Sequence, residues 1–214
     1  MRATQIFTRG SSMIDVWGRN TSSNVAKVVW ALSELDVPFK LHLAGANFGS
    51  LRSEEYLSLN PNGRIPTLRD GSLVLWESNA IVRYLAARYG DGTLWPVDPG
   101  ARAASDKWMD WASLNLVPAL RALREAQKQS APIDHRRVLR NSVVATVKIL
   151  DASLGEGPFI AGAGLTMGDI ALAPHIHRLS LVDDVLAELP AVERYRAALK
   201  ERIGYRECIE AHIT

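Results

Sequence analysis

One cysteine, Cys208, is all that the 214 residues contain, so neither an intramolecular disulfide nor a thiolate metal cluster can be built from this chain. A reducing compartment fits that usage. Charge of one sign is also scarce: the formal net charge is +2, with basic residues interspersed among acidic ones, which argues against a nucleic-acid partner but leaves a small anionic ligand compatible. No apolar run approaches the roughly 20 residues that span a bilayer, so no membrane segment is expected. The five histidines include His175 and His177, whose spacing puts them on different faces of a helix. No HExxH pattern occurs, and no metal site is expected. Internal repeats and low-complexity tracts are missing as well.

What is present is the balance of a folded globular chain, 47% hydrophobic and 22% charged, long enough for two modest domains. Met1 to Ser12 is polar and lacks the apolar stretch of a signal peptide; it reads as a disordered extension ahead of Met13, which opens the first strand. Ile14 to Trp17 is apolar-rich and ends in Gly18. From Asn24 to Leu35 the residues Val25, Val28, Val29, Leu32 and Leu35 recur at helical spacing, and Pro38 to Leu43 alternates as a second strand. Strand, helix, strand makes a βαβ unit with parallel strands. A glycine-containing loop runs from Ala44 to Ser50, Glu54 to Leu59 predicts a short helix, and Asn60-Pro61-Asn62-Gly63 a turn. Pro66 to Arg69 and Leu73 to Trp76 flank Asp70-Gly71-Ser72, a hairpin signal, because such turns need positive φ. Ser78 is placed to cap a helix with Ile81, Leu85 and Tyr89 on one stripe, ending at Gly90. βαβ followed by ββα predicts a thioredoxin-like α/β domain over residues 13–90, with a four-stranded mixed sheet.

Residues 91–100, rich in glycine and proline, read as a linker. From residue 101 to 214 the pattern is helical throughout: Ala101 to Lys128, Asp134 to Leu154, Met167 to Leu181 and Ala191 to Arg202 predict an all-α C-terminal helical bundle.

Three motifs in register give this order a family. Asn60-Pro61-Asn62-Gly63-Arg64-Ile65-Pro66-Thr67-Leu68 resembles the NP-x-G-x-[IV]-P-x-L element of cytosolic glutathione transferases, in which the proline is cis. Glu77-Ser78-Asn79-Ala80-Ile81 resembles their E-S-x-A-I element, and Leu165-Thr166-Met167-Gly168-Asp169-Ile170-Ala171 their helix-capping motif in the second domain. The resemblance runs from Met13 to the C-terminus. Trp17-Gly18-Arg19, followed by Ser22, Asn24, Lys27, Val28 and Trp30, is most similar to bacterial members related to the theta and nu classes. Neither the tyrosine of some classes nor the cysteine of others occupies this turn.

The resemblance implies glutathione as co-substrate, with no tightly bound cofactor, a small apolar electrophile, a homodimer and a cytoplasmic location. It also implies a chemical task. A free thiol with pKa of about 8.5 is mostly protonated at neutral pH, and the nucleophile is the thiolate. The start of a helix near Asn24 offers free N–H groups and a partial positive charge, and a hydroxyl donor there would favour the charged sulfur further. Ser22 is the first candidate for that hydroxyl, with Asn24 adding an amide N–H; a second alignment puts Ser23 in the role, and Thr21 sits beside them. Alone, this polar turn would be read as helix capping. By the same resemblance, the backbone at Ile65-Pro66 pairs with the cysteinyl residue of glutathione as an added strand. Glu77 and Ser78 suit the ammonium and carboxylate of its γ-glutamyl end. Arg64 contributes through its side chain or only its backbone. Thr166 and Asp169 carry capping-box spacing and are expected to be structural. Trp108 and Trp111 belong to the first helix of the second domain, with Trp111 assigned to core packing; Cys208 is expected to be a bystander. Two alternatives share the fold: reduction of disulfides or peroxides as in nu-like proteins, and a non-catalytic binding or interaction module.

Overall fold

The structure is a computed structural model that describes residues 13–49, 51–90 and 92–214. The expected extension over residues 1–12 lies outside the described residues.

Strand β1 (Ile14–Gly18) buries every second residue, Ile14, Val16 and Gly18, as a strand covered on one face requires. Helix α1 (Ser23–Glu34) crosses over and returns the chain as β2 (Phe39–Leu43), parallel to β1. A short turn of helix, α2 (Glu54–Leu59), follows. Then β3 (Thr67–Asp70) and β4 (Leu73–Trp76) form a hairpin whose Gly71 takes a φ of +59°. The strand order is β2-β1-β3-β4, with β3 antiparallel to both its neighbours. Helix α3 (Ser78–Tyr89) closes this α/β thioredoxin-like N-terminal domain in the expected βαβ-ββα order. Glu77 is the residue that precedes it, so Ser78 is the first helical residue rather than the cap.

The rest is an all-α C-terminal helical bundle. Helix α4 (Pro99–Trp111) starts two residues before the expected Ala101, because Asp98 caps it by accepting the Ala101 N–H at 2.7 Å. The single helix expected from Ala101 to Lys128 is interrupted: a π-helical segment, Ala112–Leu116, joins α4 to α5 (Val117–Lys128). Pro118 explains it, since a proline has no N–H for the carbonyl a turn earlier, and a wider turn accommodates the gap. Helices α6 (Ile133–Ser153), α7 (Met167–Ser180) and α8 (Pro190–Lys200) fall within a residue or two of expectation. Short helical turns at Val185–Glu188, Ile203–Tyr205 and Arg206–Glu210 were not anticipated; each is too short to establish a period.

Helix α1 is the seam between the halves. One side packs on α3 and the other on α7, and Trp30, fully buried, meets Tyr205 edge-on at 5.6 Å between ring centres. At the start of α7, Asp169 accepts the Ile160 N–H at 2.9 Å with one carboxylate oxygen. The other oxygen takes the Thr166 N–H at 2.8 Å and the Thr166 hydroxyl at 2.9 Å, the carboxylate half of a capping box. Ser105 of α4 donates to the Thr166 hydroxyl oxygen at 2.8 Å and accepts the Gly168 N–H at 3.1 Å, so α4 holds α7 by its N-terminus.

Candidate functional site

The register of the sheet gathers the candidate residues. Trp17 stands opposite Thr67, and Thr67 opposite Trp76. The chain therefore leaves β1 toward Thr21–Asn24, enters β3 from Arg64–Pro66, and leaves β4 toward Glu77–Ser78 at one common end of the strands. Gly18 permits the first of these exits: a Cβ there would come within 2.5 Å of Val25 Cγ2, so any larger residue would push α1 off the strand end.

At the turn, the Ser22 N–H donates to the Arg19 carbonyl at 3.0 Å, and the Ser22 carbonyl accepts from the Ala26 N–H at 2.9 Å. Ser22 thus occupies the N-cap position with extended backbone, φ −90° and ψ 121°, yet its hydroxyl makes no capping bond. The N–H groups that open a helix have no acceptor within it, and here no side chain caps them. The positive end of α1 lies at this turn. Ser23 is half-buried, and its hydroxyl oxygen accepts the Nε–H of Arg178 at 2.9 Å while the Thr21 carbonyl accepts from Nη2 of the same guanidinium at 2.8 Å. Asn24 is exposed, and its Oδ1 accepts the Ser78 hydroxyl at 3.3 Å, which links the N-termini of α1 and α3.

The Ile65–Pro66 bond is cis, and the paired ladder of β3 begins just after it at Thr67. The carbonyl of Arg64 accepts from the Tyr56 hydroxyl at 2.7 Å and from Asn60 Nδ2 at 2.8 Å, while the Arg64 side chain is exposed. Asn60 and Tyr56 thereby position the approach to Pro66 from inside the domain.

Glu77 has φ +69° and ψ 111°, a conformation that a residue with a Cβ rarely adopts, and its exposed carboxylate makes no capping bond. Such backbone is costly, by about 1 to 3 kcal/mol, and is found at functional sites more often than elsewhere. Below it lies a residue the sequence did not flag for burial, Lys27, only 2% exposed. Its Nζ donates to Asn79 Oδ1 at 3.1 Å, and Asn79 Nδ2 in turn donates to the Met109 carbonyl at 2.8 Å and Ser113 Oγ at 3.1 Å. Burial lowers the Lys27 pKa to about 8, against the opposing pull of Glu77.

Trp111 packs against the core as expected, and Trp108, to which no part was assigned, lies deeper in it. Trp108 is in the core at 6% exposure, and Trp111 is half-buried, their rings edge to face at 5.1 Å. Cys208 is half-buried and burial pushes its thiol up to about 11, which leaves it unreactive at neutral pH. His175 and His177 are both buried, and among the described residues no group of histidine, cysteine and carboxylate side chains is placed to hold a metal ion. No helix of the described residues is long and apolar enough to cross a membrane.

Residues 12–87 match the family described as "Glutathione S-transferase, N-terminal domain" and residues 121–198 the one described as "Glutathione S-transferase, C-terminal domain". Glutathione S-transferase GstB of Escherichia coli is 40% identical over 203 residues, covering 92% of this chain and 98% of that protein. The chain belongs to the glutathione S-transferase family. Among solved structures, the theta-class glutathione S-transferase of Xanthomonas axonopodis pv. citri with glutathione bound is 36% identical. It superposes with a TM-score of 0.86, covering 94% of this chain and 99% of that one. A delta-class glutathione transferase of Nilaparvata lugens is 28% identical at the same TM-score of 0.86, covering 93% of this chain and 94% of that one. The fold expected of this family member and its likeness to bacterial and theta-class transferases therefore agree with sequence and structure alike.

Proposed function

We propose that the protein binds glutathione across the common end of these strands and presents the sulfur, as a thiolate, to a small apolar electrophile held against the helical domain. The observation that carries this reading is the uncapped N-terminus of α1, flanked by two serine hydroxyls and joined through Asn24 to Ser78. Ser22 and Asn24 are assigned to the sulfur, with Ser23 the alternative hydroxyl. The backbone at Ile65 and Pro66 is assigned to the cysteinyl residue, Glu77 and Ser78 to the γ-glutamyl end, and Arg64 to the rim.

The sulfur sits where free N–H groups and the helix dipole favour an anion, and a hydroxyl donor adds to the same effect. The reaction is then attack of the thiolate on an electrophilic carbon, with departure of its leaving group. Ultraviolet absorbance of the thiolate on mixing with glutathione, followed by turnover of 1-chloro-2,4-dinitrobenzene, tests it; a folded protein that retains no glutathione in calorimetry would refute it. Parallel assays with a hydroperoxide and a mixed disulfide decide whether the same thiolate serves reduction instead.

We further propose a division into a glutathione-binding domain over 13–90, a linker over 91–100 and a helical domain over 101–214, a cytoplasmic location, and a homodimer. For the dimer, the support is apolar side chains left exposed on the edge strand β4, Leu73 and Trp76, and at Leu114 in the π-helical segment. Sedimentation equilibrium reads the assembly state directly.

A further inference from the structure

Some of the arginines among the described residues are spent on carboxylates. Arg69 pairs with Asp15, Arg83 with Asp106 and Asp110, Arg140 with Asp183, Arg196 with Glu193, and Arg202 with Glu34. Others, Arg136 and Arg194 among them, donate to backbone carbonyls instead, and Arg178 is of this second kind. It is half-buried on α7, and its guanidinium donates to two neutral oxygens of the sulfur turn, Ser23 Oγ and the Thr21 carbonyl. Among the described residues no carboxylate pairs with it. Arg19, at the exit from β1, and Arg124, on α5, are the charges that act on it most, and both repel. Burial and those neighbours lower its pKa to about 10, so it remains a cation at neutral pH. His175, one turn earlier on the same helix, is kept neutral by burial and by Lys27, Arg178 and Arg124. Positive charge therefore converges on this turn from β1, α1, α5 and α7, and among the described residues Glu77 acts against it through Lys27.

A half-buried cation without a counterion carries a desolvation cost that an arriving anion would offset. The bonds to Ser23 say where that anion lies. A serine hydroxyl has one proton, and its oxygen has two lone pairs. With the Arg178 Nε–H filling a lone-pair position, the Ser23 proton must point elsewhere, and donation into the oxygen makes that proton a better donor in turn.

We infer that Arg178, reaching across from the helical domain, is a positioning residue for glutathione activation: it fixes the Ser23 hydroxyl so that its proton is given to the glutathione sulfur, and it adds positive charge beside the thiolate. This rests on the reading above that glutathione sulfur binds at the N-terminus of α1, and it selects Ser23 over Ser22 as the hydroxyl. Arg178 itself touches the turn, at Ser23 and Thr21.

The test uses the full chain with Arg178→Gln, Arg178→Lys, Ser23→Ala and the double variant Ser23→Ala with Arg178→Gln. Thiolate absorbance titrated against pH in the glutathione complex gives the thiol pKa, calorimetry the glutathione Kd, and 1-chloro-2,4-dinitrobenzene turnover the kinetic constants. Arg178→Gln is expected to raise the bound-thiol pKa by about one unit, which is about tenfold less thiolate at neutral pH. It should lower kcat/KM in proportion, with activity recovering as pH rises and Kd changing less than about threefold. Ser23→Ala should give a similar shift, and the double variant less than the sum of the two single ones, because part of the Arg178 effect acts through that hydroxyl. Arg178→Lys keeps the charge without the planar fork and should restore part of the shift. An unchanged thiol pKa in Arg178→Gln, full additivity in the double variant, or an activity loss equal at every pH would overturn the inference. Should Arg178→Gln not fold, the lysine variant decides: a thiol pKa equal to the parent's with Ser23→Ala silent would also overturn it. Absence of any thiolate in the parent protein would instead refute the proposed glutathione site, a separate result.

Discussion

The Ser78 hydroxyl lies 3.3 Å from the Asn24 carboxamide oxygen, bringing the first turn of α3 to the first turn of α1. Hydroxyl hydrogen bonds are ordinarily about 2.7 to 2.8 Å, so this one is long and weak. Little is lost when a ligand carboxylate takes the Ser78 proton in its place. Binding at the γ-glutamyl end would then release Asn24 to turn toward the sulfur.

That exchange predicts separable effects from two substitutions. Ser78→Ala removes a donor to the ligand carboxylate and the tether of Asn24 together. Glutathione Kd in calorimetry is expected to weaken by about tenfold or more, as for a lost hydrogen bond to a charged group. The bound-thiol pKa should stay near the parent's, since Asn24 is released in either complex, whereas Asn24→Ala should raise the thiol pKa with less effect on Kd.

Glu77 offers a sharper discrimination. If its carboxylate receives the γ-glutamyl ammonium, Glu77→Gln should weaken glutathione binding by about 10- to 100-fold, the range of a charge-assisted bond of about 1.5 to 3 kcal/mol. A glutathione analogue lacking the amino group should bind parent and variant alike. Equal losses for both ligands would place Glu77 away from the ammonium.

Lys27 ties stability to alkaline pH. Its pKa falls from the ordinary 10.5 to about 8 in the fold. Between those values the unfolded chain holds more protons than the folded one, so stability rises with pH through that window. Lys27→Met abolishes this contribution. Chemical denaturation should show the parent gaining, relative to the variant, on the order of 2 kcal/mol from pH 8 to pH 10, since each unit of pKa difference is about 1.4 kcal/mol. At pH 7 the variant is expected to be the more stable.

Asp169 should behave as structure alone. Asp169→Ala strips acceptors from the buried N–H groups of Ile160 and Thr166. Each orphaned donor costs about 1 to 3 kcal/mol, so urea unfolding should show a loss of about 3 to 5 kcal/mol. Glutathione Kd, measured where the variant is still folded, is expected to match the parent.

Local signals explain which parts of the molecule could be read in advance. The alternation in Ile14–Gly18, the Gly71 turn and the stripe of α3 each lie within a few residues, and they placed the sheet and its helices. The capping role of Asp169 was legible for the same reason, three residues from Thr166. Ser78 was misplaced by one position because the true N-cap is set by the unusual backbone of Glu77, and no propensity anticipates a glutamate at φ +69°. Trp108 and Trp111 share a helical face by spacing, so which one the bundle covers depended on packing from elsewhere. The Arg178 bond to Ser23 spans 155 residues and had no local signal at all.

The burial of Lys27 has a consequence for how the protein tolerates its surroundings. At 0.15 M salt the screening length is about 8 Å, and mobile ions act on charges they can approach through water. The exposed partner in Arg69–Asp15 is open to them; Lys27, at 2% exposure, is not. That charge is therefore built into the interior, and it will persist at salt concentrations where the surface pairs fade.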